Sequence, residues 1–165
     1  MIDRRQGVQI IAGSIVFGMG ACVYLFDRSG SSVYVVPAWW AIADATPAIF
    51  GALGDYLPTF AHVFAFTLFT AAVLSPGTLA SIVICAAWFS IDLSFELAQI
   101  DAAALEIVRL VPAWFSDWPI LENTADYFLA GHFDPLDVAS IALGSVAAGL
   151  VLFITTQYGP NNVTQ

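Results

Sequence analysis

Lysine is absent from this chain of 165 residues, and its only fixed positive charges are Arg4, Arg5, Arg28 and Arg109, set against 13 acids for a formal net charge of −9. Nucleic-acid binding through the phosphate backbone needs clustered cations, so that class is excluded. Charge of either sign is scarce, at 10% of residues, where a soluble domain carries roughly 25%. Cysteine occurs twice, as Cys22 and Cys85. The two fall near opposite ends of their apolar runs, which separates them in depth by roughly 15 Å or more at the rise of a helix and rules out a bridge. Histidine also occurs twice, as His62 and His132, with no His-x-x-x-His or Cys-x-x-Cys pattern, so no metal site is expected. A Gly-rich phosphate loop is missing, and no serine or cysteine nucleophile sits beside a histidine in a recognised pattern. The chain does not read as an enzyme.

What fills the sequence instead is hydrocarbon: 59% of residues are hydrophobic. The reading is an all-α membrane protein, one domain over residues 1–165, with four transmembrane helices at about Val8–Phe26, Pro58–Leu74, Leu79–Ile100 and Leu136–Thr156. The apolar stretch Val33–Gly54 is broken by Pro37, Asp44, Pro47 and Gly51, so it is expected to be interfacial or re-entrant. Although Met19-Gly20-Ala21-Cys22 echoes a lipoprotein cleavage box, the apolar run continues through Phe26. The first span therefore reads as an uncleaved anchor.

Arg4 and Arg5 precede the first span, which by the positive-inside rule puts the N-terminus in the cytoplasm. Four spans return the C-terminus to the same side of a bacterial inner membrane. Two longer segments then lie outside, Asp27–Leu57 and Asp101–Pro135. Both are rich in aromatics, including Trp39, Trp40, Trp114 and Trp118, the types that collect where headgroups meet hydrocarbon. Ala102–Pro112 is expected to form a short interfacial helix, with Glu106 and Arg109 paired on its wet side.

Ionisable groups inside a span are costly unless they meet a partner or a polar cavity. Asp92, Glu96 and Gln99 interrupt the third apolar run at offsets of four and three, which puts them on one helical face. His62 near the start of the second span and Asp137 in the first turn of the fourth fall in the same outer third of the membrane. His62, Asp92, Glu96, Gln99 and Asp137 are therefore the candidate site, with a His62–Glu96 hydrogen bond expected at its centre. It reads equally as a clasp between helices or as a ligand site. In the fourth span Ser140, Gly144 and Ala148 recur at i, i+4 and i+8, and in the first Ser14 and Gly18 repeat the device. Small residues at this spacing let helix backbones approach, within the protein or against a partner.

These features together resemble the VanZ-like membrane proteins. That family has four spans, a histidine near the start of the second (here LPTFAHVFAF), a Glu-x-x-Gln late in the third (here FELAQ) and an Asp-x-x-Asn-x-x-x-Gly opening the fourth. The chain has FDPLDVASIALGSVAAG, keeping Asp137 and Gly144 at the family spacing but placing Ser140 where asparagine is usual and His132 where an arginine commonly stands. Its loop from Asp101 to Pro135 is also longer than the family's link. The resemblance implies an envelope role of the glycopeptide-resistance type and no specific reaction. Two functions follow as expectations. One is a non-catalytic accessory subunit packed against other membrane protein subunits, as in photosynthetic or respiratory complexes. The other is a stand-alone protein that binds a lipid or lipid-linked precursor. No cofactor is expected beyond bound lipid or a pigment contact: a bis-histidine haem needs two histidines at depth, and only His62 lies within a span.

Overall fold

The structure is a computed structural model that describes residues 2–28, 47–118 and 121–157. Among these it is all-helical, and four helices are long and apolar enough to cross a membrane: α1 (Arg4–Phe26), α2 (Leu53–Leu74), α3 (Thr78–Leu97) and, after two shorter helices, α6, whose span is Pro135–Thr156. The shorter helices are α4 (Asp101–Leu110) and α5 (Thr124–Ala130), separated by two single-turn segments at Ala113–Asp117 and Leu121–Asn123. Residues 33–46 of the stretch expected to be re-entrant lie outside the described residues.

The sequence explains where each span starts. Asp3 accepts from the backbone N–H of Gln6 while the Gln6 side chain accepts from the N–H of Asp3, a reciprocal cap that carries α1 back to Arg4, four residues before its apolar run. α2 starts at Leu53 rather than at Pro58, so the proline sits inside the helix. Proline there leaves the Gly54 carbonyl without its helical donor. Arg28 supplies one, its Nη2 lying 3.2 Å from the Gly54 oxygen and 3.1 Å from that of Asp55. Asp27, just past the end of α1, accepts from the N–H groups of Ile49 and Phe50 at 2.8 and 2.7 Å. These ties fix the entry to α2 against the end of α1. α2 ends on Ser75, which takes the left-handed conformation (φ 47°) and allows the tight turn into α3.

α2 is the central helix. Half of its span is buried inside the protein, against less than a third for each of the others, and it packs on α1, α3 and α6. α3 also packs on α6, whereas α1 touches α6 little and has no substantial contact with α3. The core runs along α2 through Phe64, Leu68 and Ala71, with Ile84 of α3 and Ala148 and Leu152 of α6. In lipid the association of helices depends on close packing and on hydrogen bonds between them, because water is not there to be excluded. Gly144 shows the packing: a Cβ there would lie 2.7 Å from the Phe60 carbonyl oxygen and 2.5 Å from Val63 Cγ1. Outward faces carry Ile11, Ile15, Val73, Leu79, Val83, Leu143 and Phe153, all exposed.

One end of the bundle is held by residues close to helix termini. Arg5 donates to the Pro76 carbonyl at 2.8 Å and Gln6 to the Ala72 carbonyl and Ser75 Oγ at 3.0 and 2.9 Å. Gln9, fully buried, donates to Thr155 Oγ of α6 at 3.0 Å. The N-terminus of α1, the α2–α3 turn and the end of α6 therefore share one side.

Candidate functional site

The other end gathers the expected polar residues, but in pairings of its own. Asp92 and Glu96 are both buried on one face of α3, as their spacing of four requires. α3 ends at Leu97, so Gln99 lies past it, in a tightened turn where its N–H bonds the Glu96 carbonyl at 3.1 Å. Its side chain reaches neither Asp92 nor His62 and donates instead to the Tyr127 hydroxyl of α5 at 3.1 Å. Tyr127 is half-buried, and desolvation there pushes its phenol up to about 12.

The expected His62–Glu96 bond is replaced by a His62–Asp92 bond: Nδ1 and Oδ1 are 2.7 Å apart. Glu96 turns the other way, and its Oε1 accepts the backbone N–H of Asp134 at 2.7 Å. Asp134 in turn caps α6, its carboxylate accepting the N–H of Leu136 at 2.8 Å, with Pro135 in the first helical position. Glu96 thus completes from a neighbouring helix the capping arrangement that a glutamate or glutamine usually completes within one chain segment.

Asp137 bonds neither His62 nor Glu96. Its Oδ1 accepts from Thr59 Oγ at 3.1 Å. One turn on, Ser140 Oγ donates to the Tyr56 carbonyl at 2.8 Å, and a further turn on Gly144 meets the Phe60 backbone. Ser140, Gly144 and Ala148 are all buried, so this stripe forms the α2–α6 seam. The matching stripe expected on α1 faces the other way. No described residue stands within 4 Å of a Cβ built on Gly18, and Ser14 is exposed, whereas Gly13 and Gly20 meet Phe69 and Ala61 of α2. The reason is Gln9, whose burial against Thr155 turns the Gln9–Gly13–Gly20–Val23 face inward.

His62 keeps one polar feature free. Its side chain is 44% exposed while that of Asp92 is 8% exposed. Nδ1 is held by Asp92, and Nε2 has no hydrogen-bond partner among the described residues. The ring centroid lies 4.4 Å from that of Phe66 and 5.9 Å from that of Trp88, and Phe66 packs tilted against Trp88 at 4.9 Å. Trp88 is itself fixed by a 2.9 Å bond from its Nε1 to Thr70 Oγ. Asp92 Oδ2 is buried with no hydrogen-bond partner among the described residues. No group of three or more metal-ligating side chains occurs among the described residues.

Sequence reasoning missed Gln9, Thr59, Thr70 and Trp88. Gln9 had a signal, a lone amide within the run VQIIAGSIV; the other three are ordinary residues of a membrane helix. A lateral groove of about 590 Å³ lies between α3 and α6 nearer the opposite end, floored by Ser81, Cys85, Ser145 and Gly149. Comparison with protein-family models, with curated proteins and with solved structures returns no match.

Proposed function

We propose that this integral membrane protein is a VanZ-like, non-catalytic accessory or assembly subunit that packs against a larger complex in the bacterial cytoplasmic membrane. The observation that carries this reading is the outward face of α1. Ser14 and Gly18 lie there beside the exposed Ile11 and Ile15, on the side of the helix turned away from α2. Small residues that admit no neighbour from their own bundle suit the approach of a helix from another chain.

The polar end supports a structural role. Glu96, Gln99, Asp137, Thr59 and Ser140 all hold one element to another. The VanZ-like pattern is consistent with this: its histidine, its glutamate and its Asp-to-Gly motif fall on α2, α3 and α6, which pack together. Ser140, in the place of the family's usual asparagine, bonds the α2 backbone directly. The lipid-headgroup reading lacks donors, since those carboxylates face an outer segment whose charge between Asp101 and Asp137 is seven acids against Arg109 alone. α4, with Glu106 and Arg109 paired at 2.6 Å, lies in the outer interface with that pair toward water. Both ends of the chain face the cytoplasm. Photosynthetic and respiratory assemblies are where such a subunit would be sought first.

Native purification in mild detergent, followed by mass spectrometry of the co-migrating proteins, tests the reading. The chain is expected to migrate with other membrane subunits, and Gly18→Ile to lose them while the isolated chain melts unchanged. Migration as a lone chain with bound lipid would overturn it.

A further inference from the structure

The groove between α3 and α6 has a floor of small side chains, Cys85 on one helix and Ser145 and Gly149 on the other, and a volume of about 590 Å³. Its rims are Ile82, Val146 and Phe153, each more than half exposed. Apart from its own helix backbone, a Cβ built on Gly149 would meet among the described residues only Cys85 Sγ, at 3.9 Å. The space over this glycine is open. Ser81 Oγ donates to the Gly77 carbonyl at 3.1 Å and Thr156 Oγ to that of Leu152 at 2.6 Å, so these hydroxyls are turned back onto their own helices. The groove offers mainly apolar surface within the length of two spans.

Its width decides between a helix and a lipid chain. Along α6 the groove runs from Ser145 to Thr156, a rise of about 16 Å. Spread over that length, its volume is a channel about 7 Å across, where a helix with its side chains needs about 10–12 Å. A polymethylene chain, one carbon wide, fits.

The end of the groove at Thr78 and Thr156 is the end where α1 begins. Arg5 Nη2 donates to the Pro76 carbonyl, two residues before Thr78, and Gln9 donates to Thr155, the neighbour of Thr156. The Nε–H of Arg5 has no acceptor among the described residues, and neither Arg4 nor Arg5 pairs with a carboxylate there. Asp3 is the one described acid at this end, and its carboxylate caps α1. The other described acids all lie toward the opposite end. Among the described residues, then, an acidic protein has one net-positive end, and a groove for a hydrocarbon chain opens on it. Positive charge at headgroup level attracts anionic lipid.

We infer that the groove between α3 and α6 seats one acyl chain of an anionic phospholipid whose phosphate pairs with Arg5, with Arg4 adding to the attraction. The site is built by this chain alone and does not rest on the subunit reading: migration as a lone chain would remove that reading and leave this site standing.

The full chain, stripped of lipid in mild detergent, is titrated with dioleoyl phosphatidylglycerol or dioleoyl phosphatidylcholine, and the retained lipids are counted by native mass spectrometry. Saturation at one phosphatidylglycerol per chain is expected, with a preference over phosphatidylcholine of about fivefold, the worth of one net positive charge at a membrane surface. Arg5→Gln should erase the preference. Gly149→Leu should weaken binding of both lipids by about tenfold, the worth of two displaced methylenes, each variant keeping its helicity. Should the variants fail to fold, alkylation of Cys85 by N-ethylmaleimide in a Cys22→Ser background reads the groove with its lining unaltered, and its rate should fall as phosphatidylglycerol saturates. Uptake of several lipids without saturation, equal retention of the two headgroups, undiminished binding by Gly149→Leu or an unchanged Cys85 rate at saturation overturns the inference. So does cross-linking from Cys85 to a helix of another subunit or of a second copy.

Discussion

Adding one methyl group at Gly144 tests how α2 and α6 are held. The Cβ of Gly144→Ala would fall 2.7 Å from the Phe60 carbonyl oxygen, 3.3 Å from Phe60 Cα and 2.5 Å from Val63 Cγ1. Val63 is fully buried and β-branched in a helix, with little freedom at χ1, and the Phe60 backbone is part of a continuous helix and cannot move alone. The helices must therefore part by several tenths of an ångström, and a gap of 0.5–1 Å forfeits roughly a quarter to a half of each dispersion contact along the seam. The Ser140–Tyr56 and Thr59–Asp137 bonds cross the same seam, at 2.8 and 3.1 Å, and lengthen with it. Overpacking of this kind costs about 1–3 kcal/mol, with the high end expected against backbone. Alanine in place of glycine returns about 1 kcal/mol through helix propensity. The net expectation is a loss of about 1–2 kcal/mol. Gly18→Ala meets no described residue within 4 Å and should gain up to about 1 kcal/mol in the isolated chain from propensity alone. Both variants would be unfolded by heat or by denaturing detergent from the same mild-detergent micelle. Equal stability of the two would refute the argument, since only the neighbours of the added carbon distinguish them.

Three further outcomes follow from particular bonds. Glu96→Gln keeps an acceptor for the Asp134 N–H and should change stability little, whereas Glu96→Leu leaves that N–H unsatisfied at the start of α6 and should cost about 1–3 kcal/mol in the same unfolding assay. Tyr127, held near 12 by burial against an ordinary value of 10, prefers its proton when folded. Its contribution is complete below pH 10 and is lost as pH rises from 10 toward 12; Tyr127→Phe should remove that step from the alkaline melting profile. For orientation, single cysteines at Ser75 and Ser116 in a background lacking Cys22 and Cys85 should react with an impermeant thiol reagent in intact cells only at 116, and labelling at 75 alone would invert the topology.

The spans were legible because a bilayer demands about 20 apolar residues from each helix and the chain supplies them. Their partners were not, and His62 shows why. Taking α2 to begin at Pro58 places His62 four residues inside the helix; its true start at Leu53 places it nine residues inside. Five residues of rise amount to about 7.5 Å, and Asp92 lies one turn, about 5.4 Å, deeper than Glu96. The error in the helix start was thus large enough to move His62 from one carboxylate to the other. That start depends on Arg28 supplying a donor to the Gly54 carbonyl, a long-range contact that no local pattern encodes.

The direction in which the α1 stripe faces was not legible for a related reason. Gly13 and Gly20 on one side, Ser14 and Gly18 on the other, form two sets of small residues in the same 23-residue helix. Spacing cannot choose between them, since either would admit a close neighbour. The choice belongs to Gln9, which as a buried amide has to face another polar group and finds Thr155 at the far end of the chain. A single polar residue near the helix terminus therefore sets the rotation of α1, presses Gly13 and Gly20 against α2, and leaves Ser14 and Gly18 facing outward, where the bundle has no use for them and a neighbouring chain would.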